Sequence, residues 1–250
     1  MILGLFEFYV LSKRLKVNPN TSAGFLGATA IFVICLFFND ISINLFLIQI
    51  TLIVLTAGTL IASALRGEEF DKMIASTGAT ILGVLYIALL GSHLLSLRVG
   101  FEQIRSAHLL SFFFLILMGA DAGAYYTGRT FGKHKLAPKI SPGKTWEGFG
   151  GAIVVSTLVS VVFAHLLQNK LYGMTLMHAI ILGVLLSTAA VVGDLIESIF
   201  KREAGVKDSG RFFPGIGGIL DLLDSLLFNA PIMYLYLRHV LTHPRPGLAD

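Results

Sequence analysis

Two pairs of carboxylates stand at helical spacing inside apolar sequence. Asp194 and Glu197 occur in Val191-Val-Gly-Asp-Leu-Ile-Glu-Ser198, and Asp221 and Asp224 in Gly217-Gly-Ile-Leu-Asp-Leu-Leu-Asp-Ser225. Residues three apart share one face of a helix. A fifth carboxylate, Asp121, lies in Met118-Gly-Ala-Asp-Ala-Gly-Ala-Tyr-Tyr126. Ionisable groups in such surroundings are costly, which makes each a functional candidate. Carboxylates brought together from facing helices are hard oxygen donors suited to Mg²⁺. The competing reading of a lone aspartate, Asp224 for instance, is a helix cap or a partner for a loop arginine.

Positive charge follows the carboxylates closely. Ser198-Ile-Phe-Lys-Arg-Glu-Ala-Gly-Val-Lys-Asp-Ser-Gly210 carries Lys201, Arg202 and Lys207, expected just outside the membrane. The segment 128–148 adds Arg129 and Lys144, with Lys133, Lys135 and Lys139. Cations beside a divalent metal site are what phosphoryl chemistry uses to neutralise the transferring group. Other chemistries find no support. Gly143-Lys144-Thr145 ends like a phosphate-binding loop, but Pro138 stands where its first glycine belongs. The seven histidines form no zinc pattern, and no Gly-x-Ser-x-Gly elbow is present.

The elements that position these groups are transmembrane. Of the 250 residues 55% are hydrophobic and 14% charged, against about 25% charged in ordinary soluble domains. Apolar runs recur at lengths that cross a bilayer as helices. Seven full spans are expected, over Ala23–Phe38, Leu45–Leu65, Ile74–Leu97, Leu109–Tyr126, Phe149–Gln168, Thr175–Phe200 and Asp224–Val240. Met1–Leu11 is apolar but too short to cross, and is expected either in the interface or as the end of a longer helix. The fold class is therefore an all-α polytopic bundle forming a single domain over 1–250. Glycines inside helices, such as Gly119 and Gly123, allow close helix packing. The lone Cys35 reads as a small apolar side chain.

Alternate loops differ in basicity. Of the 19 Lys and Arg, 14 fall on one side and five (Arg98, Arg105, Lys170, Arg238, Arg245) on the other. The positive-inside rule makes the first side cytoplasmic. That side also holds every candidate above, so the candidate site is expected to face the cytoplasm.

The order of motifs resembles the phosphatidate cytidylyltransferase (CDP-diacylglycerol synthase) family. Ser198-x-x-Lys201-Arg202, Lys207-Asp208 and Pro214-Gly-x-Gly-Gly-x-Leu-Asp221-x-x-Asp224-Ser225 are similar to its C-terminal signature. Upstream, Asp121-x-Gly-Ala-Tyr125, Gly128-Arg-x-Phe-Gly-Lys133 and Ser141-Pro-x-Lys144-Thr-Trp-Glu-Gly148 match in the same order, so the signature region covers about 118–230. Phe6-Glu-Phe-Tyr9 resembles an early family segment. Two positions depart from the family pattern. Ile216 stands where a histidine is usual, and Leu222 where an arginine follows the first aspartate. Family members usually carry further spans before the Phe6–Tyr9 segment, so Met1 is expected to be a late start or a shortening.

The resemblance implies transfer of a cytidylyl group from CTP to phosphatidic acid, giving CDP-diacylglycerol and pyrophosphate. It implies Mg²⁺, with a second cation allowed, on Asp221 and Asp224, completed by Asp194 or Asp121. Lys201, Arg202, Lys207 and Asp208 would be catalytic. Arg129, Ser141, Lys144, Ser198 and Arg211 would bind substrate, with Arg211 supplying part of the charge that Ile216 and Leu222 cannot. The expected partners are these substrates and membrane lipids, with a homodimer allowed and no nucleic acid. Two alternatives compete. A catalytically weak lipid-binding or scaffold relative is one; a transporter, which calls for inverted repeats and broken midplane helices, is the other.

Overall fold

The computed structural model describes residues 1–38, 40–167, 170–171, 173–210, 212 and 217–241. Arg211 and Ile216 lie outside the described residues.

Long apolar runs with few charges form helices because every backbone group then bonds within its own segment. The helices are α1 (Ile2–Arg14), α2 (Thr21–Phe37), α3 (Ile41–Leu65), α4 (Phe70–Gly83) and α5 (Leu90–Val99), then α6 (Gln103–Phe131), α7 (Trp146–Leu166), α8 (Leu176–Glu203) and α9 (Ile219–Tyr236). A π-helical segment, Val84–Leu89, joins α4 to α5. Six stretches among the described residues are long and apolar enough to cross a membrane, α4 to α5 counting as one, and α2 is a shorter apolar helix. The seven expected spans correspond to these, in an all-α polytopic bundle. Among the described residues the strands are those of a short antiparallel hairpin, β1 (Lys135–Ala137) and β2 (Ser141–Thr145), in the loop between α6 and α7.

Several boundaries differ from the sequence reading, and three of them place charged residues of the candidate site on a helix. The last helix begins at Ile219, not Asp224, because Gly218 opens it and Asp221 caps its first turn. The eighth helix continues to Glu203 and so carries Lys201 and Arg202 on its final turn. The sixth runs to Phe131 and carries Arg129. Cations at a C-terminal turn oppose the negative end of the helix dipole, which favours these extensions.

Two buried clusters make the core. One joins Leu5, Phe8 and Tyr9 of α1 to Ile31 of α2, Ile87 of the π segment and Leu220 and Leu227 of α9. The other joins Phe112 and Ile116 of α6, Leu182 and Leu186 of α8, and Ala230 and Met233 of α9. Helix α9 thus belongs to both. The α1 helix, expected at the interface or as a helix end, packs on one side into the first cluster. Small residues set the closest approaches: a methyl group at Gly193 of α8 would stand 2.6 Å from the Asp224 carbonyl oxygen of α9. Between α7 and α8, Ser156 and Ser160 donate to the carbonyls of Gly183 (3.1 Å) and Ala179 (2.6 Å). Such bonds fix helix register where side chains have no water to bond.

Candidate active site

The close approach at Gly193 determines the chemistry next to it. Asp194 and Glu197 of α8 and Asp224 of α9 each offer a carboxylate oxygen, and the three lie within 4.8 Å of one another. Glu197 is completely buried, and among the described residues neither of its oxygens receives an aligned hydrogen bond. Lys201, one turn further along α8, meets it in an ion pair. A cluster of three hard, charged oxygen donors around one point fits a small divalent cation such as Mg²⁺.

Asp221, expected beside Asp224 as a ligand, has other partners. Its Oδ1 is 2.7 Å from Lys201 Nζ. Its Oδ2 accepts from the backbone amides of Gly218 (2.7 Å) and Ser209 (3.0 Å) and from Ser209 Oγ (2.9 Å). The Gly218 amide sits at the opening of α9, where the first amides lack intrahelical acceptors. Asp221 therefore ties the start of α9 to the segment after α8. Leu222, where the family pattern has arginine, is 42% exposed and about 100° around the helix from Asp221.

Beside the carboxylates opens a cleft of about 580 Å³, lined among others by Asp121, Tyr125 and Arg129 of α6, Lys144 of β2, Phe149 of α7 and Asp194. Lys144 Nζ is 2.7 Å from Asp194 Oδ2, so one cation links the cleft to the acidic group. Arg129 donates to the Tyr125 hydroxyl (2.7 Å) and lies over that ring. Asp121 is exposed on the cleft wall. Ser198 Oγ is 3.4 Å from Asp194 Oδ1, a long bond that orients the carboxylate weakly.

The hairpin brings Lys144 here. Thr145 caps α7 by accepting from the Gly148 amide (3.1 Å), and Glu147 pairs with His134 Nδ1 (2.6 Å) across the hairpin base. At the other end Arg202 donates through Nε to the Ile140 carbonyl (3.1 Å) and through its guanidinium to that of Val206 (3.2 Å). Arg202 is thereby placed as a latch between α8 and the hairpin. Ser141 starts β2 opposite Ala137, and Lys207 and Asp208 are exposed on the segment leading to Ser209. The structure thus gathers Asp121, Asp194, Arg129 and Lys144 around the cleft, and Glu197, Lys201, Asp221 and Asp224 behind it. It does not bring Ser141, Lys207 or Asp208 to the cleft wall.

Sequence reasoning counts Glu197 among the carboxylates suited to a metal but leaves it out of the ligand set that the resemblance implies, and it singles out neither Tyr86 nor Ser209. Glu197 does carry a signal, as an intramembrane carboxylate at i+3 from Asp194. Tyr86, buried with a hydroxyl that has no hydrogen-bond partner among the described residues, packs on Phe200 and Phe228 of the helices that carry the carboxylates; a tyrosine in an apolar run carries no such signal. Ser209 donates to Asp221 from a loop whose sequence says nothing of that bond.

Comparisons with known proteins show what the chain is similar to. The profile of the Cytidylyltransferase family matches residues 1–240. A protein of Staphylococcus saprophyticus named phosphatidate cytidylyltransferase is 34% identical over 250 residues, covering 95% of this chain and 90% of its own. Proteins of the same name from Haemophilus influenzae and Bacillus subtilis are 48% identical over 130 residues and 42% over 123. Those two matches take in 51% and 49% of this chain, and only 45% of each relative's length. The profile match runs from the first helix, through the hairpin and both carboxylate pairs, to the end of the last, and on that extent this chain belongs to the cytidylyltransferase family.

Proposed function

We propose that this chain catalyses CTP + phosphatidate → CDP-diacylglycerol + pyrophosphate, in a bacterial inner membrane with its cleft open to the cytoplasm. The observation that carries the reading is the Lys144–Asp194 pair, which joins a cleft of nucleotide size to three convergent carboxylates. The names of the relatives support the substrates, and the basic asymmetry of the loops supports the orientation.

An oxygen of the lipid phosphate attacks the α-phosphorus of CTP, and the bond to pyrophosphate breaks. The attacking oxygen is already ionised, so no general base is needed. Catalysis is then positioning and charge neutralisation. Asp194, Glu197 and Asp224 would hold magnesium, which supplies positive charge to the phosphate oxygens. Lys144 swings between Asp194 and the substrate phosphates, and Arg129 offers its planar fork to them. Lys201 balances Glu197 and Asp221 so that the carboxylates keep their places. The acyl chains stay in the bilayer, which accounts for chemistry housed between transmembrane helices.

The test is purified protein with radiolabelled CTP and phosphatidate. Label should enter lipid only when both substrates and Mg²⁺ are present. No transfer of label under those conditions overturns the reading.

A further inference from the structure

The α1 helix carries one buried charge that the reaction does not use. Glu7 is only 8% exposed, set among Leu5, Phe8, Tyr9 and Leu11, and is not part of the cleft wall. A buried carboxylate is retained only where its lone pairs are met. The partners of Glu7 lie more than 200 residues away. Its Oε2 accepts from the Leu220 amide at 2.7 Å and lies 3.2 Å from Ser209 Oγ.

Both partners belong to the site's framework. Leu220 is the second residue of α9, so Glu7 satisfies one of the orphan amides there and sets negative charge against the positive end of the helix. Ser209 also donates to Asp221, which holds Lys201, which pairs with Glu197. A continuous chain of polar interactions therefore runs Glu7–Ser209–Asp221–Lys201–Glu197. The surroundings leave room for the Glu7 carboxylate and nothing more: a methyl group at Gly210 would collide with its Oε1, and one at Gly218 would stand 2.5 Å from its Oε2. Helix α1 is itself anchored, with the Tyr9 hydroxyl donating to the Thr80 carbonyl (2.9 Å) and Phe8 packed edge-on against Phe200 of α8.

We infer that Glu7 is a positioning residue for the reaction proposed above: from α1 it clamps the start of α9, fixing where Asp224 meets Asp194 and Glu197. The role rests on that reading of the site, but the clamp itself does not.

The experiment uses the full chain in lipid nanodiscs, with kinetics for CTP and phosphatidate and amide hydrogen exchange across residues 217–224. Glu7→Ala should lower kcat about tenfold or more while both KM values stay within about threefold, as expected when reacting groups are displaced but binding is kept. Exchange at the Leu220 amide should speed up in the same variant. Glu7→Gln keeps an acceptor for that amide and should hold kcat within about threefold of the parent. Gly210→Ala should be damaging alone yet add little to Glu7→Ala, because the added methyl then enters the space the carboxylate left. If Glu7→Ala does not fold, Gly210→Ala, which pushes the carboxylate aside without deleting it, carries the same kinetic and exchange predictions. Unchanged exchange, a raised KM with intact kcat, or additive losses in the double variant would overturn the inference. A parent protein without turnover would sink the proposed reaction while leaving the exchange test of the clamp intact.

Discussion

Lys201 Nζ, on the last turn of α8, lies 2.7 Å from Asp221 Oδ1 on the first turn of α9. The pair closes the gap between two helices whose carboxylates converge one turn deeper. Lys201 also meets the fully buried Glu197, so a single cation balances two acids at 12% side-chain exposure. Removing one member of such a group leaves uncompensated buried charge, which costs about 3 kcal/mol or more. Lys201→Met should therefore lower thermal stability in detergent by an amount of that order and abolish turnover. Adding Glu197→Gln should recover part of the stability and none of the activity. A Lys201→Met protein with parental melting behaviour would show that the pair has no structural role.

The aspartates should separate by phenotype. Asp194→Asn and Asp224→Asn each remove a charged oxygen from the acidic group while keeping shape. Each should cut turnover by about a hundredfold, a few kcal/mol of transition-state stabilisation, and reduce the thermal shift produced by added Mg²⁺. Asp221→Asn should instead lower the melting temperature without magnesium, since three donors and Lys201 lose their charged acceptor. Equal Mg²⁺-dependent shifts in all three variants would refute this division.

Much of this arrangement is legible in the sequence because a bilayer constrains it severely. Apolar runs mark the spans, and carboxylates at i and i+3 can face only one way. What the sequence does not convey is which acids pair across helices. Asp221 and Asp224 look alike in one dimension; only the docking of Ser209 and Gly218 against Asp221 makes one a cap. Likewise Arg202 has the composition of a phosphate ligand, and its bond to the Ile140 carbonyl depends on a hairpin whose strands, of three and five residues, leave almost no periodic signal. Glu7 stands in the segment similar to the family, yet nothing local points to partners beyond position 200.

Arg202 supplies a test of the latch. Its bond to the Ile140 carbonyl ties to α8 the hairpin that presents Lys144, and its bond to the Val206 carbonyl holds the guanidinium in place. Arg202→Ala should speed amide exchange across 135–145 and raise the CTP KM about three- to tenfold, with a smaller change in kcat, because binding groups are loosened before reacting ones. Arg202→Lys should not rescue, since an ammonium cannot reproduce the fork that spans two carbonyls. A lysine variant with parental exchange and KM would show that charge alone suffices.

Orientation can be tested independently of catalysis. The 14 basic residues assigned to one side include the hairpin and the turn after α8, whereas Lys170 lies in the connection between α7 and α8 on the other. The native Cys35 is buried, so labelling should report introduced thiols. In intact cells, Lys139→Cys and Gly205→Cys should resist an impermeant thiol reagent and react once the membrane is opened, while Lys170→Cys should react from outside. Gly205 has φ +68°, so a second reporter on that side guards against a variant that misfolds at a position glycine favours. Labelling of both Lys139→Cys and Gly205→Cys from outside would invert the bundle. The cleft and its three carboxylates would then face a compartment without CTP, and the proposed reaction would fail with the topology.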